Sequence, residues 1–262
     1  IIEMMSGLMS LTGYGGGDDM PFKTGISYGD PVGGLHAVLA VALSLLQRDR
    51  TGQGRHIDLA QRETAASLAG PAFVAASLGT DGGEPVHWGH RDPEFVPQGC
   101  YRAAGDGRWL VLSIRDDDDW VVLCDLLGRS DLGSLSREDR RARHDEIDEL
   151  IEAWTADHPS SELQVTLQER GLAAAAVVNT LDLYDNPQLV HRGFHQVVPN
   201  TKMHPYRQSG PSWRLQHSPP HEMTRSPWFG EHNDQHLMHG LGLDRQEKHS
   251  LEKRNVSGTA PL

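Results

Sequence analysis

The chain has 262 residues, enough for one large or two small domains around a real core. It carries 24 Lys plus Arg against 36 Asp plus Glu, a formal net charge of −12. That acidic balance argues against a nucleic-acid or anionic-membrane partner, since both need a basic footprint. Its two cysteines, Cys100 and Cys124, are too few for a disulfide framework and lack zinc spacing. A reducing, cytoplasmic setting is the default expectation.

In chain order, the start at Ile1 lies inside an apolar stretch, IIEMMSGLMSLTG, with no basic n-region and no small-residue cleavage site. It does not read as a signal peptide, but as a cut edge. The longest apolar run, Leu35 to Leu46, is shorter than the roughly 20 residues a bilayer span needs. Asp30 as N-cap and Pro31 at the first helical position mark the start of a helix there. RDRTGQG, with basic residues and then Gly52 and Gly54, marks its end. A helix apolar on nearly all sides is expected to be buried. A second helix is expected from about Asp58 to Leu78, with Ala60, Thr64, Ser67 and Ala69 on a small-residue face.

Thr80 to Gly99 holds four Gly and three Pro without helical period, which suggests a linker or active-site loop. An α+β unit follows. Gly105-Asp106-Gly107 turns a hairpin whose second strand is Trp109 to Ile114. Helices are expected over Asp116–Leu127, most of Arg137–Thr155, and Ser160–Arg170. A buried strand follows at Ala173–Val178, then a short helix at Leu181–Leu189. After about Arg192 the chain reads as loop, closed by a helix at Glu231–Leu241 and a polar, frayed end.

Several patterns carry possible chemistry. GISYG, Gly25 to Gly29, matches the G-x-S-x-G elbow of serine hydrolases, but a loop precedes it where that elbow needs an apolar strand. Asp116 to Asp119 are read as complementing a helix dipole rather than as a metal site. His232, His236 and His239 lie near one face of the last helix without a Glu or Cys to complete a zinc motif, so no metal is expected. Arg48, Arg50 and Arg55 match a helix C-terminus. Gly13, Gly15, Gly16 and Gly17 do not sit between strand and helix, which excludes a dinucleotide fingerprint. Asp30 by local sequence is a helix cap. Its second reading is chemical: a carboxylate at a helix N-terminus, with Gly33 and Gly34 leaving room for a bulky ligand, can attack an acyl group covalently.

Taken in order, SGLMSLTG, GISYGDPVGGLHAVLA, LLQRDRTGQGRHIDLAQRE, WGHRDPEFVPQGCYRAAGDGRWLVLSI, LCDLLGRSDL, AAAAVV with DNPQLVHRGF, and GEHNDQHLMHGLGL resemble the class III CoA-transferases of CaiB/BaiF type. The resemblance covers nearly the whole chain. It implies that Asp30 is the nucleophile of a ping-pong transfer of coenzyme A between an acyl-CoA and a free carboxylic acid, with no permanently bound cofactor and no metal. Substrate and CoA contacts are expected at Tyr28, Gly29, Gly33, Gly34, Gly89, His90 and Gly99. His87 to Gly99 takes the place of the family's shielding loop, without its glycine run.

The same resemblance implies an α/β fold, part of a Rossmann-type large domain plus a small α+β domain, in an interlocked dimer. The expected partition is 1–79 as a large-domain segment, 80–98 as linker or active-site loop, 99–194 as the small domain, and 195–262 as the return to the large domain. The family's N-terminal Rossmann half is expected on another chain or in a longer parent, making the protein a homo- or hetero-oligomer. The alternatives are an α-methylacyl-CoA racemase-like enzyme of the same fold and a non-catalytic partner subunit.

Overall fold

The computed structural model describes residues 1–14, 20–23, 25–79, 89–200, 203–218 and 222–260. They form two compact units, Ile1–Val177 and Val178–Leu262.

The first unit begins with a single helical turn, α1 (Ile2–Met5), and a 3-10 turn, Leu8–Leu11. The long helix α2 spans Gly29–Thr51 and stops at Gly52, whose φ of 71° is the left-handed conformation that glycine supplies freely. Its start differs from expectation. Tyr28, not Asp30, occupies the N-cap position, with helical dihedrals, and its N–H donates to the Glu3 carboxylate. Asp30 is therefore a first-turn residue. Pro31 remains tolerable there because the first turn's N–H groups have no partner inside the helix.

The expected burial of α2 is also corrected. Only Gly29 and Gly33 are buried, while Leu35, Val38, Leu39, Leu43 and Leu46 are each more than half exposed. The helix extends beyond the Leu35–Leu46 run, back to Gly29, so α2 is in fact long and apolar enough to cross a membrane by length and composition. The core helix of a soluble protein passes the same test.

The second expected helix is three pieces: α3 (Gln61–Ala66), a 3-10 turn (Ser67–Ala69) and α4 (Gly70–Leu78). Pro71 explains the break, because its ring clashes with the carbonyl four residues back and removes that hydrogen bond.

From Gln98 onward the unit is an antiparallel sheet covered by helices. β1 (Gln98–Arg102) pairs with β2 (Trp109–Ser113), Gln98 opposite Ser113 and Arg102 opposite Trp109. Gly105 and Gly107 turn the hairpin with positive φ, as their spacing predicts. β2 alternates as a one-face-buried strand should: Leu110 and Leu112 are buried and Val111 is exposed.

The helices follow in order: α5 (Asp117–Leu126), α6 (Arg137–Ala142), α7 (His144–Thr155) and α8 (Ser160–Glu169). The stretch 137–155 is mostly helical, as expected, in two pieces that meet at Arg143. On α7, His144, Ile147, Ile151 and Thr155 are buried at helical spacing. β3 (Ala173–Val177) completes the sheet in the order β1-β2-β3, antiparallel to β2, but as an edge strand with only Ala174 buried it is not the buried strand expected. The core gathers Tyr101, Leu110, Leu112 and Ile114 of the sheet region with Trp120, Leu123, Ile147, Ile151, Leu163 and Leu167 of the helices. Each fully buried Leu or Ile contributes about 1.5–3 kcal/mol.

The second unit has more order than its loop-like composition suggests. Leu181–Leu189 is a 3-10 turn, Asp182–Tyr184, and then α9 (Pro187–His191). Asn186 caps α9, and Pro187 takes its first position, so the NP pair starts a helix instead of lying inside one. A hairpin, β4 (His195–Val198) with β5 (Tyr206–Ser209), was not legible as strand. The expected helix Glu231–Leu241 is a shorter π-helical stretch, Asp234–Gly240. Arg225 clamps Glu231 through both carboxylate oxygens at 2.8 and 2.6 Å. That clamp and the Trp228 N–H hold the Glu231 carboxyl down at about 2.

The supposedly frayed end folds. α10 (Arg245–Lys253) starts with a capping box between Asp244 and Glu247. The Asn233 side chain then donates to Ser257 Oγ at 3.0 Å and the Gly258 carbonyl at 2.9 Å.

Candidate active site

The N-terminal turn of α2 is built by close backbone approaches. A Cβ on Gly29 would lie 2.8 Å from Ile2 Cγ2, so glycine lets α1 pack against the helix start. A Cβ on Gly33 would lie 3.1 Å from Gln61 Cγ, so glycine lets the first residue of α3 pass. Through that gap Gln61 Nε2 donates to Asp30 Oδ1 at 3.0 Å. Thr64 Oγ1 in turn donates to the Gln61 carbonyl at 2.8 Å. Asp30 itself is exposed. Gly34 is exposed too, with open space where a Cβ would stand. Tyr28 lines a cavity of about 180 Å³ with Glu3, Leu8, Met9, Thr12, Lys23 and Leu68.

The remaining candidates meet elsewhere in the same unit. Gly89, His90 and Gly99 line a groove of about 640 Å³ with Gln98, Leu112, Ser113, Gln168 and the Ala173–Ala175 stretch of β3. Ser113 Oγ donates to Gln98 Oε1 at 3.0 Å, and Gln168 Nε2 donates to the Ala174 carbonyl at 2.8 Å. Gly99 also has a packing role: a Cβ there would lie 2.6 Å from the Tyr101 ring. The Tyr101 hydroxyl donates to Asp148 at 2.8 Å. Burial first, and then the Asp148 charge, push its phenol well above the ordinary value, so it stays a donor.

Tyr14 packs beside His90 and Gly89 of this groove. Its ring packs edge-on to Phe22 at 4.9 Å and to His90 at 6.5 Å. Its carbonyl occupies the space a Gly89 Cβ would need. Gly89 has φ of 64°, so both conformation and contact demand glycine.

The segment after Gly89 is strapped to α6 and α7 by arginines. Arg91 bonds Asp148 at 2.6 Å and pairs with Asp145. Arg137 pairs with Glu94 at 2.9 Å, and Arg141 reaches the Pro93 carbonyl. Arg140, 1 % exposed, donates to the carbonyls of Val96 and Leu135, each at 2.9 Å, and to Asp117 at 2.8 Å. His87 of the expected shielding loop, and Gly15, Gly16 and Gly17, lie outside the described residues.

Other patterns resolve into local structure. Ser27 Oγ takes a hydrogen bond from Lys23 Nζ at 3.1 Å, and no strand precedes it among the described residues. Asp116 caps α5 by accepting from the Asp119 N–H, and Asp119 pairs with Arg115 at 2.7 Å. Among the described residues no group of three or more His, Cys, Asp or Glu is placed to hold a metal ion. Gln61, Tyr14 and the arginine strap were not singled out by sequence reading. Gln61 was visible only as a polar residue at the start of a helix.

A long apolar helix followed by a small antiparallel sheet layered with helices makes this an α/β fold. A CaiB/BaiF family protein from Brucella suis has this fold, with TM-score 0.77 and 26% identity over 91% of this chain and 61% of its own. Residues 1–233 match CoA-transferase family III, and the chain belongs to that family.

A succinyl-CoA–D-citramalate CoA-transferase of Chloroflexus aurantiacus is 27% identical over 97% of this chain and 63% of its own length. A formyl-CoA:oxalate CoA-transferase of Streptomyces avermitilis is 27% identical over 98% of this chain and 66% of its own. The chain thus spans about two thirds or less of the length of these relatives.

Proposed function

We propose that the chain takes part in moving coenzyme A from an acyl-CoA thioester to a free carboxylic acid, with Asp30 as covalent nucleophile. The observation that carries this reading is the Asp30 carboxylate, exposed in the first turn of α2 and held at one oxygen by Gln61, within a stretch matched to CoA-transferase family III. The free oxygen, Oδ2, attacks the thioester carbon, the C–S bond breaks and CoA thiolate leaves, giving an aspartyl anhydride. The thiolate then attacks the aspartyl carbonyl carbon. The first acid departs and an aspartyl-CoA thioester remains. An acceptor carboxylate runs the two steps in reverse. A carboxylate nucleophile is ionised at neutral pH, so the scheme calls for neither metal nor resident cofactor.

Tyr28, Gly29, Gly33 and Gly34 flank the nucleophile in this reading, and the Gly89–His90–Gly99 groove takes part of the substrate. Residues 1–79 and 195–262 belong to a large domain and 99–194 to a small one, with 80–98 as the loop between. An N-terminal Rossmann half, on another chain or in a longer parent, covers the bare apolar face of α2 and supplies most CoA nucleotide contacts, in the interlocked dimer of the family. The setting is cytoplasmic.

The test is turnover of the protein, assembled with that half, over a panel of acyl-CoAs and acids. Loss of transfer in Asp30→Ala supports the reading. Full transfer in that variant sinks it and leaves a partner-subunit role. Exchange of the α-proton with solvent deuterium without acyl transfer would replace it with racemisation.

A further inference from the structure

We propose that Gln61 is a catalytic residue whose amide stabilises the charge that develops on Asp30 Oδ1 when CoA thiolate attacks the aspartyl anhydride. The inference rests on Asp30 being the nucleophile and goes one atom further. Gln61 Nε2 stands 3.0 Å from Oδ1, and only an NH₂ group can make that contact with a carboxylate oxygen.

The contact makes the two carboxylate oxygens different. Oδ2, without this donor, forms the bond to the acyl carbon. Oδ1 becomes the carbonyl oxygen of the anhydride. When thiolate sulfur bonds to the aspartyl carbon, the C=O electron pair moves onto Oδ1, and the Gln61 amide already points at it. Collapse restores the carbonyl and breaks the bond to Oδ2, which leaves with the first acid. A preset donor at the atom where charge appears favours the transition state over the ground state.

Two features hold the amide in place. Gly33 leaves the gap through which the side chain passes, since a Cβ there would meet Gln61 Cγ at 3.1 Å. Thr64 Oγ1 fixes the Gln61 backbone carbonyl at 2.8 Å.

The test compares wild type with Gln61→Met, which keeps length and packing but loses the donor, in the assembled enzyme. Steady-state turnover is combined with rapid quench and intact-protein mass, reading the rate at which CoA becomes attached to Asp30. The expected result is a kcat about ten- to a hundredfold lower, with KM for acyl-CoA within about twofold and the melting temperature unchanged. CoA attachment should slow by the same factor as kcat. Gly33→Ala, which crowds the Gln61 stem, should lower the same rate by a smaller factor and serves if Gln61→Met fails to fold.

If wild type carries CoA on Asp30 and both variants attach it at wild-type rate, the role of Gln61 is refuted and Asp30 stands. If wild type never carries CoA on Asp30, both fall.

Discussion

Replacing Arg140 with Met tests what holds the strap beside the groove. Arg140 is 1 % exposed, yet its guanidinium lies 5.4 Å from the Trp120 ring centroid and serves two main-chain carbonyls, Val96 and Leu135. Met fills much of the stem's volume but donates nothing. Each orphaned carbonyl costs about 1–3 kcal/mol, and the lost stacking roughly another 1 kcal/mol. The Asp117 partner is 76% exposed and returns to water, so that pair adds little. The sum is about 3–5 kcal/mol once Met packing offsets part of it.

Native-state hydrogen exchange of the β1 and β2 amides reads this directly, because those strands pack on the same core. Arg129→Ala, which breaks an exposed pair with Asp131, should leave exchange unchanged and serves as control. A loss below about 1 kcal/mol in Arg140→Met would refute the reasoning, since it would mean that water or another donor readily satisfies both carbonyls.

Three further outcomes follow from the geometry. Gly89→Ala should raise proteolytic nicking around residue 89 and cost about 1–3 kcal/mol, from a strained φ and a Cβ driven into the Tyr14 carbonyl; unchanged nicking would contradict it. Burial, the largest effect on His144, holds its pKa below the ordinary 6.5, against the opposing pull of Asp148. The unfolded chain therefore takes up the proton first, and stability falls as pH drops below about 6.5. His144→Gln should flatten that slope in urea unfolding between pH 5 and about 6.5, and an unchanged slope would assign it to other groups. Leu39→Glu, on the bare face of α2 where Leu39 is 58% exposed, should change the stability of the chain alone by no more than about 0.5 kcal/mol. The same change should abolish assembly with the N-terminal half that the proposed function calls for, measured by light scattering; assembly at wild-type affinity would mean that this face is not the seam.

Local signals carried much of the fold. The stop at Gly52, the Gly105–Gly107 hairpin, the Asp116 cap and the alanine strand rest on short-range chemistry that a sequence displays. Other boundaries rest on weaker local signals. Pro71 breaks the second helix, Asn186-Pro187 begins one, and Asp244 with Glu247 opens α10. The exposure of α2 was not legible, because an apolar composition states what a helix could pack against, not what covers it. The candidate nucleophile was visible as a residue type at a helix start, but its partner was not. Gln61 lies 31 positions away and reaches Asp30 only because Gly33 lacks a side chain. The groove at Gly89, His90 and Gly99 likewise depends on β3, more than seventy positions downstream of Gly99.

The central claim is that the Asp30 carboxylate becomes acylated during transfer. The most direct measurement is to incubate the assembled enzyme with acyl-CoA, quench with hydroxylamine and read the peptide containing Gly29-Asp30-Pro31 by tandem mass spectrometry. The account predicts an aspartyl hydroxamate at Asp30 that forms only with acyl-CoA present and is lost in Asp30→Asn. An unmodified Asp30 in an enzyme that still turns over would contradict it.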